Sequence, residues 1–232
     1  MGKTGIIVLS DKIILKFGGV KKFTEEQENA TLKIWQKYKN TKTDEPMMVF
    51  AGQENNEILC ERINYRHFLA NLEQPSLGLG INFLALSGII VTRDNKVILG
   101  KRADDVTQHK GHWELMPSGS ITTKYVTKDK TAQYHMQLLE EFTEETGLNN
   151  RYVTHCCSVG LLQNNDGSYE IGCQININVD KLTFLQKFVP GEYTEILALR
   201  PSAAKSFMNN KKTKVVPTSV ALLDIYLKSI KS

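Results

Sequence analysis

Apolar and polar positions fall into blocks along the chain, and the blocks change character near residue 78. Before that point, short apolar runs at 5–9 and 13–17 predict strands. Residues 24–39 then carry a helix-start signature: Thr24 and Gln27 stand at capping-box spacing ahead of Leu32, Ile34, Trp35 and Tyr38. A third apolar run, 47–51, predicts another strand. Gln74, Pro75, Ser76, Gly78 and Gly80 form a turn-rich stretch, and the domain division is placed there, with an α+β unit over 1–78 and a second domain over 79–232. In the second domain a strongly apolar strand over 81–92, a turn at 93–96 and a returning strand at 97–100 read as a hairpin. Further strands are predicted at 152–162, 169–179 and 195–199, and a closing amphipathic helix over 218–230 has Val220, Leu223 and Leu227 on one side.

Between the strands, residues 131–146 predict a helix stopped by Gly147, since glycine readily takes the left-handed backbone of a helix end. At 100° per residue, Tyr134, Leu138, Leu139 and Phe142 make an apolar stripe, and Glu141, Glu144 and Glu145 fan out beside it. Spacings of three and four bring those carboxylates within reach of a common point, where like charges weaken a helix by about 0.2–0.5 kcal/mol per pair. Two readings follow: a solvated acidic face, or oxygen ligands for a hard divalent cation such as Mg²⁺ or Mn²⁺, whose charge cancels the repulsion.

A larger pattern favours the cation. Phe142 lies between the acids, Gly147 and Leu148 close the helix, and a glycine turn at Pro117, Ser118 and Gly119 follows Trp113, Glu114 and Leu115. This resembles the Nudix family, whose signature is a glycine, five residues, a glutamate, seven residues, then Arg-Glu-apolar-x-Glu-Glu-x-Gly-apolar. In that resemblance Glu141, Glu144 and Glu145 take the positions of metal-binding and catalytic glutamates, and Gly119 that of the signature glycine. The resemblance covers about residues 81–230. It implies an α/β fold, a Nudix-type α/β/α sandwich with a mixed sheet, preceded here by the small α+β unit. The chain departs from the pattern at three places. Ser118 stands where a second glycine is frequent, Glu140 replaces the arginine, and Ala132 occupies the upstream glutamate position, with about seven extra residues after Gly119 that include Lys124, Lys128 and Lys130. One of these lysines is a candidate to supply the arginine's missing charge.

The reaction implied is Mg²⁺- or Mn²⁺-dependent hydrolysis of a nucleoside diphosphate linked to another group. The general base in this family often comes from a later loop, which points to Glu195 first and Glu192 second. Arg102, after the returning strand, is a candidate phosphate contact, with surface pairing to Asp104 or Asp105 as the alternative. Trp113 is a candidate base-stacking residue, with core packing as its alternative. His109, His112 and Glu114 stand in reserve, and Asp166, in the turn-like stretch 164–167, serves turn geometry. The stretch Asn64, Tyr65, Arg66, His67 and Phe68 loosely resembles the extension of Nudix enzymes acting on nucleotide sugars, so a nucleotide sugar is the favoured substrate. The departures from the signature keep open a catalytically impaired Nudix-fold nucleotide-binding module.

Composition narrows the remaining classes. The chain has 232 residues, 41% hydrophobic and 23% charged, and its 29 basic against 25 acidic residues leave a net charge of +4. That balance tilts toward anionic small molecules and falls short of a nucleic-acid footprint, so no DNA or RNA polymer is expected as partner. No apolar run reaches membrane-span length, and no secretory signal is read at the start, so a cytoplasmic protein is expected. Cys60, Cys156, Cys157 and Cys173 lack zinc-site spacing and read as reduced thiols. Gly2, Lys3 and Thr4 resemble a phosphate-loop ending without the required upstream glycine, and Ile6 stands against N-myristoylation. For the first 78 residues, a supporting role or a homodimer contact stands beside substrate binding.

Overall fold

The computed structural model describes residues 5–106 and 108–230, so Gly2, Lys3 and Thr4 lie outside the described residues. The chain opens with β1 (Gly5–Val8) and β2 (Ile14–Val20), followed by α1 (Glu25–Trp35). The start of α1 is fixed as its sequence requires: Gln27 N–H donates to Thr24 Oγ1 at 3.2 Å and Thr24 N–H to Gln27 Oε1 at 3.0 Å. Glu25, Glu26 and Glu28 in the first turn favour the positive end of the helix dipole. Strands β3 (Pro46–Glu54) and β4 (Glu57–Asn64) form a hairpin, and α2 (Tyr65–Glu73) follows it directly. Helix α2 was not anticipated. It buries Phe68, Leu69 and Ala70, while the Asn64 N–H donates to His67 Nδ1 at 3.2 Å across its first turn.

The second part begins with β5 (Asn82–Val91) and β6 (Val97–Arg102), then β7 (Trp113–Leu115), β8 (Ser118–Ser120) and β9 (Thr131–Ala132). Helix α3 (Tyr134–Thr146) comes next, then β10 (Val153–Gln163), β11 (Tyr169–Ile177), α4 (Lys181–Lys187), β12 (Tyr193–Leu199), α5 (Pro201–Met208) and α6 (Pro217–Ser229). The glutamate helix therefore starts three residues later than the pattern predicted. Thr131 and Ala132 instead pair with Lys16 and Leu15 of β2, a contact more than a hundred residues away that local periodicity does not encode.

The sheet is mixed: β11 runs parallel to β5, while β10–β11, β6–β12 and β5–β8 are antiparallel. Alternation along β5 explains the layers. Leu84, Leu86 and Ile90 pack in one core with Leu138 and Phe142 of α3. Ile89 and Val91 face the other way, into a core with Leu222 and Leu223 of α6 and Ala204 of α5. The result is an α/β/α sandwich.

The stretch chosen as the division holds a short 3₁₀ turn, Pro75–Leu77, with Gly78 in the left-handed region at φ 59°. The two parts are nevertheless sewn together. β3 pairs with β5 through Val49–Phe83 and Phe50–Asn82, and β1 pairs with β10. Ile13, Leu15, Met48, Ile58 and Cys60 share one core with the α3 side of the second part. No helix among the described residues is long and apolar enough to cross a membrane.

Candidate active site

Strand β8 is the platform of the site. It pairs with β5 so that Ser118, Gly119 and Ser120 lie opposite Ser87, Leu86 and Ala85. The Glu141 carboxylate from α3 rests on this strand at Gly119: a Cβ added there would lie 2.5 Å from Oε1 and 2.6 Å from Cδ. The lack of a side chain at Gly119 is thus what lets the carboxylate come this close, since Gly119 has no left-handed backbone to call for glycine. One turn further along α3, Glu145 accepts the Ser118 backbone N–H at 3.1 Å. Two carboxylates one helical turn apart are in this way seated on adjacent residues of β8.

Their surroundings disfavour negative charge. Glu145 is 7% exposed and its Oε2 is buried without a hydrogen-bond partner. Burial, with the charges of Glu114, Glu141 and Glu192 added, pushes its carboxyl well above the usual range, against a lowering by the Ser118 N–H. Burial lifts Glu141 to about 7, with Glu144, Glu192 and Glu140 contributing repulsion and the Gln137 amide, 3.2 Å away, opposing it. Glu144 is exposed on the helix but close enough for its charge to act on Glu141.

A second layer backs this pair. Glu114, 4% exposed, ion-pairs with Arg102 and accepts the Tyr193 hydroxyl at 2.7 Å and the Ser118 hydroxyl at 3.2 Å. Arg102 also donates through Nε to the Gln108 carbonyl at 3.1 Å. Its partner is therefore a buried acid, and neither Asp104 nor Asp105. Arg102 still borders the open cleft that runs past these groups, a cavity of about 820 Å³ also lined by Glu114, Ser118, Gly119, Glu141 and Glu192. Glu140, in the arginine position of the signature, pairs with Lys124 of the inserted segment, so an insertion lysine does meet that charge.

Two expected residues lie elsewhere. Trp113 packs edge-to-face on Phe207 of α5 at 5.3 Å, beside the α5–α6 core, because its strand position turns the ring away from the cleft. Glu195 ion-pairs with Lys101 at 2.6 Å and is absent from the cleft lining. The β6–β12 pairing shifts register between Tyr193 and Glu195, which breaks the alternation that would have aimed both the same way. Glu192, the second choice, borders the cleft instead.

His109 takes a left-handed φ of 52° and lines the cleft, and burial lowers its pKa, with neighbouring His112 adding to the shift. Asp166 accepts the Ser168 N–H at 2.9 Å, which is turn chemistry. Three contributors were not anticipated: Tyr193 and Ser118, which bind Glu114, and Ser87, which bonds to half-buried Glu170. Burial raises the Glu170 carboxyl, and the Asn164 amide holds it at 2.9 Å.

The donors gathered here are carboxylate oxygens, the set suited to Mg²⁺ or Mn²⁺ and unsuited to softer ions. The unpartnered Glu145 Oε2 and the clustered, destabilised charges fit a cation. Among the described residues no three His, Cys, Asp or Glu side chains are already drawn together around one point.

No family model and no curated protein matches the sequence. Solved structures do match. A Deinococcus radiodurans protein, DR0079, superposes with a TM-score of 0.55 over 78% of this chain and 99% of its own, at 10% identity. That share exceeds what residues 79–232 alone supply. A mutT/nudix family protein from Listeria innocua matches at TM-score 0.45 and 16% identity, over 64% of this chain and 94% of its own. A C. elegans Ap4A hydrolase in a binary complex matches at 0.42 and 12%, over 63% and 98%. The likeness to the Deinococcus structure is one of fold, and the mixed sheet between α3 on one side and α5–α6 on the other is the α/β/α sandwich expected from the sequence.

Proposed function

We propose that this chain is a divalent-cation-dependent hydrolase of a nucleoside diphosphate linked to a second group, with a nucleotide sugar as the favoured class. The observation that carries this reading is the seating of Glu141 and Glu145 on β8, with one buried carboxylate oxygen left without a partner. Glu141 and Glu145 would hold Mg²⁺ or Mn²⁺, with Glu144 as a further ligand from the exposed side of α3. When bound, the cation supplies positive charge at the phosphate oxygens and Lewis acidity toward water.

The remaining roles belong to the chain. The Ser118 N–H fixes the Glu145 carboxylate, and the Gln137 amide orients that of Glu141. Arg102, held by Glu114, presents positive charge to the cleft where the diphosphate lies. Glu192 borders the cleft and is assigned the proton-accepting role in place of Glu195. Four free cysteines fit a cytoplasmic protein, and the partner is a small nucleotide rather than a polymer.

The test is turnover of nucleotide sugars, dinucleotides and nucleoside triphosphates with Mg²⁺ or Mn²⁺. Cation-dependent release of a nucleoside monophosphate supports the hydrolase. Nucleotide binding with no turnover selects the binding module that Glu140 and Ala132 keep open. Neither binding nor turnover overturns both.

A further inference from the structure

The cleft is chemically asymmetric. Phe83, Ala85 and Ser87 alternate along one face of β5, and all three line it. At about 3.3 Å per residue, Phe83 lies roughly 10 Å along the strand from the level of Gly119, which pairs with Leu86. The Ser87 end is polar: Ser118 lies opposite on one side and Glu170 and Asn164 on the other, with Asn165 and Asp166 beyond. The Phe83 end is aromatic. Its wall comes from α2, where Phe68 stands 4.7 Å from the Phe83 ring and 5.7 Å from that of Tyr65. Leu72 and the Asn71 amide complete it, and exposed Lys42 stands at the border.

Phe68 itself is buried, but Tyr65 and Phe83 packed on it are half-buried, and half-buried rings opening into a polar, charged cleft are unusual for a merely supporting unit, whose rings would be covered. Ring faces of this kind hold a planar heteroaromatic group, and base stacking on such rings is worth about 1–3 kcal/mol. The separation from Gly119 matches the reach of a ribose and a phosphate. Amides, hydroxyls and carboxylates at the opposite end suit a group rich in hydroxyls.

We propose that the N-terminal unit supplies the nucleobase subsite, with the half-buried rings of Tyr65 and Phe83, both packed on buried Phe68, as its wall, and that the group released on the other side of the diphosphate is a hydroxyl-rich one lodged near Asn164 and Asn165; this rests on the hydrolase reading only for the position of the diphosphate. Specificity for the base is therefore set by residues outside the glutamate-bearing part of the fold. Lys42 and Asn71 contact the edge of the base or its ribose.

The probes are uridine and adenosine monophosphate and glucose 1-phosphate, titrated calorimetrically into the full chain without metal. Two variants, Tyr65→Ala and Tyr65→Leu, are used because Tyr65 is only half-buried, and circular dichroism checks their fold. Nucleoside monophosphate affinity should fall about tenfold in both, with glucose 1-phosphate affinity unchanged. Unchanged nucleotide affinity in folded variants, or no nucleotide binding by the native chain, overturns the subsite. A native chain that binds nucleotides through Tyr65 yet hydrolyses no diphosphate sinks the hydrolase reading and leaves the subsite standing.

Discussion

Gly119→Ala isolates the contact on which the site is built. The new methyl carbon would lie 2.5 Å from Glu141 Oε1, 2.6 Å from Cδ and 3.0 Å from Cγ, whereas ordinary contact begins at 3.4 Å. Gly119 is not in the left-handed region, so the backbone accepts alanine without strain. The Glu141 side chain yields instead, by about 1 Å, and a flexible carboxylate moves at little cost in stability, within about 1 kcal/mol. A misplacement of that size at a reacting centre lowers turnover by about 100-fold. The measurements are kcat/KM with Mn²⁺, Mn²⁺ affinity by electron paramagnetic resonance, and thermal melting, each repeated in a Glu141→Ala background. Alanine at 119 should weaken activity and metal affinity in the native background and change neither further once Glu141 is gone. Full activity in the single variant would refute the role of Glu141 in the site. A collapsed melting temperature would show that Gly119 serves the sheet and not the carboxylate.

Other perturbations separate the remaining roles. Folding lifts Glu141 from 4.5 to about 7, so its protonated form favours the folded state; that stability is complete below about pH 4.5 and is lost as pH rises through about 7. Denaturant unfolding of the metal-free chain should show a decline of up to about 3 kcal/mol from this residue between pH 4.5 and 8, and Glu141→Gln should remove that slope. Arg102→Ala leaves Glu114 buried without its cation and should cost about 3 kcal/mol by denaturant titration, whereas Lys124→Ala, at an exposed ion pair, should leave the unfolding midpoint nearly unchanged. Glu192→Gln should lower kcat and reshape its pH profile while Glu195→Gln leaves both intact; the reverse pattern would restore Glu195 to the site.

The glutamate cluster was legible because helix periodicity is local: the spacing of Glu141, Glu144 and Glu145 states on its own that they share a side of α3. What the spacing does not state is depth. Glu145 is buried and Glu144 exposed because β8 packs against only one flank, and that strand is brought there by pairing with β5. The errors have the same origin. Thr131 and Ala132 left the helix for a bridge to β2, and the face taken by Glu195 turned on a register shift against β6. Trp113 likewise needed knowledge of α5, a helix that the apolar pattern did not reveal. Helix α2 was seen only as a motif, yet it carries Phe68 and Tyr65 to the cleft. Capping boxes, turns and long buried strands such as β5 and β11 followed from sequence because each is decided within a few residues.

The most direct measurement is single-turnover hydrolysis of a nucleotide sugar by the native chain and by Glu145→Gln, with Mg²⁺ or Mn²⁺ and with the metal chelated. The amide keeps the size of the side chain and an oxygen for the Ser118 N–H, so circular dichroism should be unchanged. The account predicts cation-dependent turnover by the native chain and a loss of several orders of magnitude in the variant. Turnover that survives chelation, or that Glu145→Gln leaves intact, would contradict it.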